Sequence, residues 1–503
     1  MSVVREVLEQ GLRRPEAVAV VGGDVLTFGE LRRQVLAVRY GLLRAGLAAG
    51  DGVLFSVRPS PRSLVLALGV VAAEGVVIFA DPGAGPEMFA ARLRLARPRW
   101  CAAESLLYAA SRLAPVRSYA RRRGLLLPNL AGLAGLRHLY VGSWLPGVPR
   151  GALPLTAMLD GTAAEPPSYG PDDAPAAVIF TSGTTARPRA VVHTGRSLAA
   201  ALRLFRTRVP LGPGDVVHTD QLMLGLPALI AGARWSMPPL SGDPGTFLRH
   251  LHQRGATHTF CVPVHLAELL DQAPGPLPET LRYVLLGAAP APAGILRRAV
   301  AAAPGAEVLS VYAMTEILPV AIATAAEKLA HDGLGDLLGS PLTGARIADD
   351  GELMLSGPGL CRGYLGDPPL TELPTGDLAR FDEKGRLVLM GRKKDMLIRG
   401  KFNLYPGLYE PAIAALHGIR EAAIVGLPDP ETGDEEVVLA VVADGDPVPR
   451  LWKVLPQVMD ADALPDRIVV LPALPYGGRS RKLDRPALRA LVSLTRGVSR
   501  TFP

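Results

Sequence analysis

Residues 180 to 194 form the most informative group of potentially reactive side chains in this 503-residue chain. Four hydroxyl residues surround a glycine, and two arginines follow closely: Thr181, Ser182, Gly183, Thr184, Thr185, Arg187 and Arg189. The hydroxyl and backbone N–H groups of such a loop form a concave set of donors that suits phosphate oxygens, and guanidinium groups add positive charge. The alternative interpretation is a Ser/Thr-rich surface turn, since such turns are common.

The elements around this loop indicate an α/β fold. An apolar run at 176–180 predicts a buried strand that leads into the loop. Between residues 26 and 82 the pattern alternates between helix and strand, and a second alternating block covers 196–311. Such alternation favours parallel strands with helices on both faces of the sheet. Short strands at 352–355 and 387–390 predict a small β-rich unit before a boundary near residue 391.

Length, charge and cysteine content set broad limits. A chain of 503 residues is too long for one ordinary core, so we expect two or more domains. The net charge of +7 suits an anionic substrate, but no basic stripe with interleaved aromatic residues predicts nucleic-acid binding. The most apolar region, 64–80, is interrupted by Gly69 and Glu74, so no membrane span is expected. The three widely spaced cysteines and the charged N-terminus lead us to expect a cytoplasmic protein.

The loop at 180–191 resembles the phosphate loop of the adenylate-forming superfamily, which includes acyl-CoA synthetases, luciferases and the adenylation domains of peptide synthetases. The usual form is Tyr/Phe-Thr-Ser-Gly-Thr-Thr-Gly-x-Pro-Lys-Gly-Val, and this chain has Ala186, Arg189 and Ala190 in place of Gly, Lys and Gly. Five further segments resemble superfamily motifs and follow in the same order: 287–290, 311–316, 374–377, 391–410 and 474–485. The resemblance extends from about residue 15 to 490, and six ordered motifs are highly specific.

The resemblance implies a role for each matching residue. The phosphate loop would bind the nucleotide through Thr181, Ser182, Gly183, Thr184, Thr185 and Arg189. The adenosine would be held by Gly287, Ala288, Ala289, Tyr312, Asp377 and Arg392. Thr315 would bind the α-phosphate, and Glu316 would hold Mg²⁺, which takes one or two carboxylates plus substrate phosphates. Lys482 matches the catalytic lysine of adenylation, and Lys394 matches the hinge residue.

The same resemblance implies the fold and the domains in more detail. It implies a large N-terminal AMP-binding domain over residues 1–391, with stacked α/β subdomains and a β-rich subdomain. A small, mobile C-terminal α/β lid domain would follow over residues 392–503. Three departures from superfamily glycines lie outside the phosphate loop, at Ala313, Lys401 and Arg481.

The implied activity is ATP-dependent activation of a hydrophobic carboxylic acid as an acyl-adenylate, with ATP and Mg²⁺ as cofactors. The expected acceptor is the thiol of CoA, and an acyl carrier protein is the other thiol acceptor. A leucine-rich stretch at 218–233, together with 259–265, is the candidate acyl pocket, although its leucines suit a plain core equally well.

Two alternative functions stay open from the sequence. The run Thr315-Glu-Ile-Leu-Pro-Val320 is similar to olefin-type β-lactone synthetases, in which the substrate's own β-hydroxyl closes the ring. The replaced glycines also allow a degenerate member that binds nucleotide without turnover. A dinucleotide-binding enzyme is a weaker rival, because no Gly-x-Gly-x-x-Gly motif follows an early strand.

Overall fold

A computed structural model describes most of the chain, namely residues 3–79, 86–112, 128–164, 169–181, 189–239, 243–273, 275–399, 402–428, 435–460, 463–477, 482–495 and 498–499. The chain divides into two compact units. Unit 1 contains Met1–Thr259 with two later segments, Met314–Leu318 and Gly357–Thr371. Unit 2 contains Phe260–Ala313, Pro319–Ser356 and Glu372–Pro503. The predicted α/β class is confirmed, while the predicted domain boundary after residue 391 stays a prediction.

Unit 1 is built on an eight-stranded sheet in its described part. In spatial order the strands are Gly363–Tyr364, Arg189–Thr194, Pro175–Thr181, Val76–Phe79, Gly52–Ser56, Trp100–Glu104, Arg137–Val141 and Leu153–Pro154. The strands from Pro175–Thr181 to Leu153–Pro154 are mutually parallel, as the alternating pattern predicts. Arg189–Thr194 pairs antiparallel with Pro175–Thr181, so the predicted phosphate loop connects two neighbouring strands.

A second group of strands in unit 1 has the order His258–Cys261, Val216–His218, Arg234–Ser236, Val18–Val21 and Val25–Thr27. The last two residues of His258–Cys261 are assigned to unit 2. The helices of unit 1 are Val3–Arg13, Phe28–Arg44, Pro61–Ala72, Pro86–Ala96, Ser105–Arg112, Thr156–Leu159, Gly195–Arg208, Leu222–Ile230 and Pro244–Gln253, with a 3-10 turn at Leu130–Gly132.

Side-chain caps fix where three of these helices begin. Thr27, Ser60 and Thr194 each accept a hydrogen bond from the backbone N–H three residues later, and each forms a reciprocal capping box. The caps satisfy N–H groups that have no partner within the helix. The large apolar core of unit 1 includes Phe28, Leu36 and Trp100.

Eight strands of unit 2 lie side by side in one sheet, in the order Gly344–Ile347, Glu352–Ser356, Leu373–Phe381, Leu387–Arg392, Asp336–Pro341, Ala321–Thr324, Glu307–Tyr312 and Tyr283–Leu286. A separate four-stranded sheet holds Glu435–Ala443 at its centre, with Ile419–Pro428, Arg467–Val470 and Val498–Ser499. Two hairpins pair Leu397–Arg399 with Phe402–Leu404, and Tyr476–Gly477 with Lys482–Leu483.

The helices of unit 2 flank these sheets. They are Pro263–Gln272, Ala293–Ala302, Ala325–Leu329, Pro406–Ala414, Val448–Val454 and Arg485–Leu494, with 3-10 turns at Lys393–Asp395 and Leu455–Gln457. The four-stranded sheet buries apolar residues on both faces, in two clusters that include Leu439 and Val441 on one face and Val438 and Ala440 on the other. Alternation of this kind follows from the two-residue repeat of a strand.

Candidate functional site

A buried carboxylate contacts two of the other predicted nucleotide residues of unit 2. Asp377 is 1 % exposed. Its Oδ2 accepts a hydrogen bond from the Tyr312 hydroxyl at 2.6 Å, and its Oδ1 lies 2.7 Å from Arg392 Nε in an ion pair. The three residues come from three strands of one sheet, and Asp377 lies opposite Arg392 in the antiparallel register. The fold therefore brings together three predicted residues that are up to 80 positions apart in sequence.

Asp377 retains unused capacity to accept hydrogen bonds. Although Arg392 is close, no N–H or O–H among the described residues meets the buried Oδ1 with hydrogen-bond geometry. A buried carboxylate oxygen in this state favours an incoming donor, since an ionised carboxylate has about four acceptor positions. Burial and the Asp377 charge raise the pKa of Tyr312, so this phenol stays protonated and donates at neutral pH. The arrangement fits a ligand that carries hydroxyl groups, such as a ribose.

The turn at 287–290 follows directly after the strand Tyr283–Leu286. A Cβ atom at Gly287 would come within 2.9 Å of the Phe260 ring, so the position has no room for a side chain. Ala288 has a φ of 65°, in the left-handed region that disfavours residues with a Cβ. Alanine therefore occupies a backbone conformation here that glycine would adopt without strain.

Thr315 and Glu316 belong to unit 1. They contact the strands Arg189–Thr194 and Gly363–Tyr364, which lie at one edge of the eight-stranded sheet of that unit. Glu316 is 8 % exposed, and its Oε1 accepts a hydrogen bond from the Tyr364 hydroxyl at 2.9 Å. Its main-chain oxygen accepts one from the Cys361 N–H at 2.7 Å. The main-chain oxygen of Thr315 lies 2.7 Å from His193 Nε2. Both predicted residues are thus held by groups from other segments of the same unit.

The two ends of the predicted phosphate loop are paired strand residues. Thr181 ends one strand and Arg189 begins the next, and the two lie opposite each other in the register. The Arg189 guanidinium lies over the Tyr364 ring, 4.8 Å from its centroid, in cation–π geometry. The other predicted loop residues lie outside the described residues: Ser182, Gly183, Thr184 and Thr185. Ala190 is a regular strand position, where a methyl group fits in place of the usual glycine.

The two predicted lysines of unit 2 are exposed. Lys394 lies in the 3-10 turn Lys393–Asp395, and Lys482 begins a two-residue strand that pairs with Tyr476–Gly477. The neighbouring Lys393 binds two carboxylates, with Nζ 2.6 Å from Asp350 Oδ2 and 3.0 Å from Glu352 Oε2. The segment that carries the predicted hinge is therefore anchored beside Lys394.

Metal ligands are sparse in the part of the chain that the structure describes. It contains no cluster of three or more His, Cys, Asp or Glu side chains that could hold a metal ion. A single buried carboxylate such as Glu316 still fits Mg²⁺, because this ion takes most of its ligands from water and substrate phosphates. The donor set is therefore compatible with a metal that arrives with a nucleotide.

Most leucines of the candidate acyl pocket at 218–233 are buried in the apolar core. Leu224 and Leu229, on the helix Leu222–Ile230, are 1 % and 0 % exposed, whereas Leu222 is 39 % exposed. Met223 and Leu226 are half-buried against the same core. The segment's assignment as an acyl pocket stays a prediction.

Two contact residues of this site have no counterpart among the sequence predictions. His193 and Tyr364 contact Thr315 and Glu316 from positions 122 and 48 residues away in sequence. His193 falls within the informative stretch 180–194 and Tyr364 lies in a two-residue strand, but neither occupies a motif position to which the resemblance assigns a role.

Comparison with known proteins decides the family. The model of the AMP-binding enzyme family matches residues 7–365. The chain belongs to the AMP-binding enzyme family. As a member of this family it is an acid-activating ligase of the adenylate-forming type, and the resemblance read from the six motifs is confirmed.

Relatives of this AMP-binding enzyme include CoA ligases. The chain is 29 % identical to a feruloyl-CoA synthase from Amycolatopsis sp over 472 residues, which cover 86 % of this chain and 87 % of the relative. It is 29 % identical to a 2-succinylbenzoate–CoA ligase from Listeria monocytogenes over 331 residues, 62 % of this chain and 69 % of the relative. The amide bond synthetase McbA from Marinactinospora thermotolerans has a similar structure, with a TM-score of 0.79 and 25 % identity over 97 % of this chain and 99 % of McbA.

Among the described residues of this AMP-binding enzyme, none of the helices is both long and apolar enough to cross a bilayer.

Proposed function

We propose that this AMP-binding enzyme activates a hydrophobic carboxylic acid with ATP and transfers the acyl group to the thiol of CoA. The first step joins a carboxylate oxygen to the α-phosphorus of ATP and breaks the bond to the bridging oxygen, so pyrophosphate leaves and an acyl-adenylate forms. In the second step a thiol attacks the acyl carbon and AMP leaves. Activation is needed because a carboxylate is a poor electrophile and AMP is a good leaving group.

The arrangement around Asp377 is the observation that supports this proposal most. A buried carboxylate that is held by Tyr312 and Arg392 and still has free acceptor positions on its two oxygens suits the two hydroxyls of a ribose. In the proposed complex Tyr312 stacks on the adenine, and Arg392 adds positive charge near the nucleotide. Positioning of the nucleotide in this way favours in-line attack on the α-phosphorus.

Charge stabilisation is the second requirement, because negative charge spreads over the α-phosphate in the transition state. We assign this role to Lys482, to Thr315 and to the hydroxyl loop that begins at Thr181. Glu316 would hold Mg²⁺, which supplies additional positive charge to the phosphates. No nucleophilic side chain is needed for this reaction.

Replacement of Lys482 tests the proposal. Lys482→Ala should lower the rate of acid-dependent pyrophosphate release about a hundredfold or more, which is typical for loss of one transition-state charge contact. The matched control is Lys453→Ala, at another exposed lysine of unit 2. Circular dichroism and melting temperature should be unchanged in both variants. Pyrophosphate release at the normal rate by the Lys482 variant would contradict the proposed role.

The acceptor is tested by the products. Fatty, aromatic and β-hydroxy acids are each supplied with and without CoA. Mass spectrometry should detect acyl-CoA only in the reactions that contain CoA. A dehydrated β-hydroxy acid formed without CoA would instead support the β-lactone alternative, which the run Thr315–Val320 favours. A carrier-protein thiol and an amine are the other acceptors to include. ATP binding without pyrophosphate release for every acid would support the degenerate alternative.

A further inference from the structure

The Thr315–Glu316 pair is fixed to unit 1 by three hydrogen bonds. His193 Nε2 lies 2.7 Å from the main-chain oxygen of Thr315. The Cys361 N–H donates to the main-chain oxygen of Glu316 at 2.7 Å, and the Tyr364 hydroxyl donates to Glu316 Oε1 at 2.9 Å. The main chain and the carboxylate are therefore constrained separately.

The chemistry of its partners determines the hydrogen positions on His193. A carbonyl oxygen can only accept, so Nε2 must carry the hydrogen that it donates to Thr315. Nδ1 then carries no hydrogen, and the Ser197 hydroxyl, which also lies 3.2 Å from the Thr194 oxygen, is 3.2 Å from it. The ring is fully buried, and burial lowers its pKa, so the neutral form is present at neutral pH. His193 thus acts as a fixed donor to the backbone of the site.

Tyr364 is held on both its backbone and its ring. Its short strand pairs with Arg189–Thr194, where Tyr364 lies opposite Val191, and the Leu365 N–H donates to the Ala190 oxygen at 2.8 Å. The Arg189 guanidinium covers the ring at 4.8 Å. A hydroxyl on a ring held in this way has a defined direction, and it points at the Glu316 carboxylate.

We propose that His193 and Tyr364 are positioning residues, which orient the backbone and the carboxylate of the Thr315–Glu316 pair so that Glu316 presents its second oxygen to Mg²⁺. This inference rests on the proposed function, in which Glu316 holds the metal. Partners that hydrogen-bond a metal ligand restrict its orientation and thereby strengthen metal binding. Arg189 contributes indirectly, because it fixes the ring that carries the hydroxyl.

Tyr364→Phe removes the hydroxyl and keeps the ring under Arg189. The Mg²⁺ concentration for half-maximal pyrophosphate release should rise about tenfold, the lower end of the usual effect of such partners, and excess Mg²⁺ should restore turnover. Calorimetry should show an unchanged affinity for ATP in the absence of Mg²⁺. The increase in ATP affinity on addition of Mg²⁺ should be smaller than in the unmodified protein. Tyr364→Leu, which also removes the ring, should have the larger effect.

The matched control is Tyr108→Phe. Tyr108 is a fully buried tyrosine of the same unit, and its hydroxyl lies 3.1 Å from the Cys101 carbonyl oxygen. Its removal should lower the melting temperature without a change in Mg²⁺ dependence. Equal effects of the two Phe variants on Mg²⁺ dependence, or no effect of Tyr364→Phe, would overturn the proposal for Tyr364.

His193 is tested by a pair of variants. His193→Leu removes the donor and should lower kcat about tenfold, while His193→Gln, whose amide can reach the same carbonyl, should recover most of it. Equal losses of kcat in the two variants would overturn the role of His193. If His193→Leu does not fold, His193→Gln with normal stability and a tenfold loss of kcat would also overturn it.

Failure of the proposed function gives a different result. If the unmodified protein binds ATP with Mg²⁺ but releases no pyrophosphate with any acid, the acid-activation proposal fails, and calorimetry still decides the role of Tyr364. For His193, the decisive quantity in that case is the increase in ATP affinity that Mg²⁺ causes. This increase should be smaller in the His193→Leu variant and retained in the His193→Gln variant. An unmodified protein whose ATP binding does not respond to Mg²⁺ would overturn both proposals.

Discussion

At the scale of single residues, the site depends on buried polar atoms whose partners come from distant segments. Asp377 is 1 % exposed and Glu316 is 8 % exposed, and each accepts a hydrogen bond from a tyrosine hydroxyl. Buried carboxylates are stable only where such donors and charges compensate for lost water. Substitutions that remove one partner should therefore have clear and separable effects.

Asp377→Asn should weaken ATP binding. The change retains the size of the side chain but removes the charge that faces Arg392 and one acceptor for the ribose. Hydrogen bonds to charged groups contribute about 1.5–3 kcal/mol, so the Kd for ATP should rise roughly tenfold to a hundredfold. Isothermal titration calorimetry measures this directly. The control is Asp271→Asn, which changes an exposed ion pair with Arg298 in the same unit and should leave the Kd unchanged.

Ala288→Gly should stabilise the protein. The φ of 65° lies in the left-handed region, which destabilises a residue with a Cβ by about 1 kcal/mol, and glycine removes this strain. Glycine also raises the conformational entropy of the unfolded chain, which offsets part of the gain. We expect a net gain of about 0.5 kcal/mol in the free energy of unfolding, measured by urea denaturation. Ala289→Gly is the control and should destabilise the protein slightly, since its φ is not in this region. A lower stability of the Ala288→Gly variant would show that the added entropy of the unfolded chain outweighs the removed backbone strain.

At the scale of elements, the neighbouring parallel strands Val216–His218 and Arg234–Ser236 carry a buried polar group in unit 1. The His218 ring is fully buried, with Nδ1 2.8 Å from the Ser236 hydroxyl, and that hydroxyl also accepts from Arg254 at 2.9 Å. His250 and Phe247, on the helix Pro244–Gln253, pack against the ring. The imidazole therefore lies between an arginine, a second histidine and an aromatic ring.

This environment predicts a loss of stability in acid. Burial, followed by the Arg254 and His250 charges, lowers the pKa of His218 from 6.5 to about 3. The unfolded chain then binds more protons than the folded chain, so stability falls as the pH drops from 6.5 towards 3. Because of His218, the free energy of unfolding should fall by about 2 kcal/mol between pH 6.5 and pH 5.

His218→Gln tests this prediction, because it removes the titrating group and retains a polar side chain. Denaturant unfolding at pH 6.5 and at pH 5 should show a smaller acid loss in the variant, by about 2 kcal/mol. His252→Gln is the control, at a more exposed histidine on the helix that packs against His218. The same acid loss in the His218 variant and the unmodified protein would contradict the assignment.

At the scale of the whole molecule, the division into two units does not follow the order of the chain. Unit 1 takes in the five-residue segment Met314–Leu318 and a later segment, Gly357–Thr371. Thr315 and Glu316 thus belong to unit 1, while Tyr312, a few residues earlier, belongs to unit 2. The predicted lid domain at 392–503 and its hinge at Lys394 are proposals that need a kinetic test.

Lys394→Pro should separate the two half-reactions. Proline fixes φ, so it restricts a residue that must change its backbone angles when a domain rotates. Pyrophosphate release should be nearly normal, and thioester formation should fall about tenfold or more. Single-turnover assays of each step measure the two rates separately. Glu383→Pro, at the second position of the turn Asp382–Gly385 outside the predicted hinge, is the control. A parallel loss in both steps would rule out Lys394 as the pivot.

The sequence by itself determined the class of the fold, the order of the motifs and most of the strands that carry them. Apolar runs bounded by turn residues are local properties, so the strands Glu352–Ser356 and Leu387–Arg392 agree with the predicted strands at 352–355 and 387–390. The motifs also predict Tyr312, Asp377 and Arg392 as nucleotide-binding residues, but not their mutual contact.

Only the tertiary structure decided how these residues are supported. His193 and Tyr364 contact Thr315 and Glu316 across 122 and 48 residues of chain. Such contacts depend on which strands become neighbours in a sheet, and no local propensity encodes that choice. The left-handed conformation of Ala288 is a further example, because it runs against the preference of a residue with a Cβ.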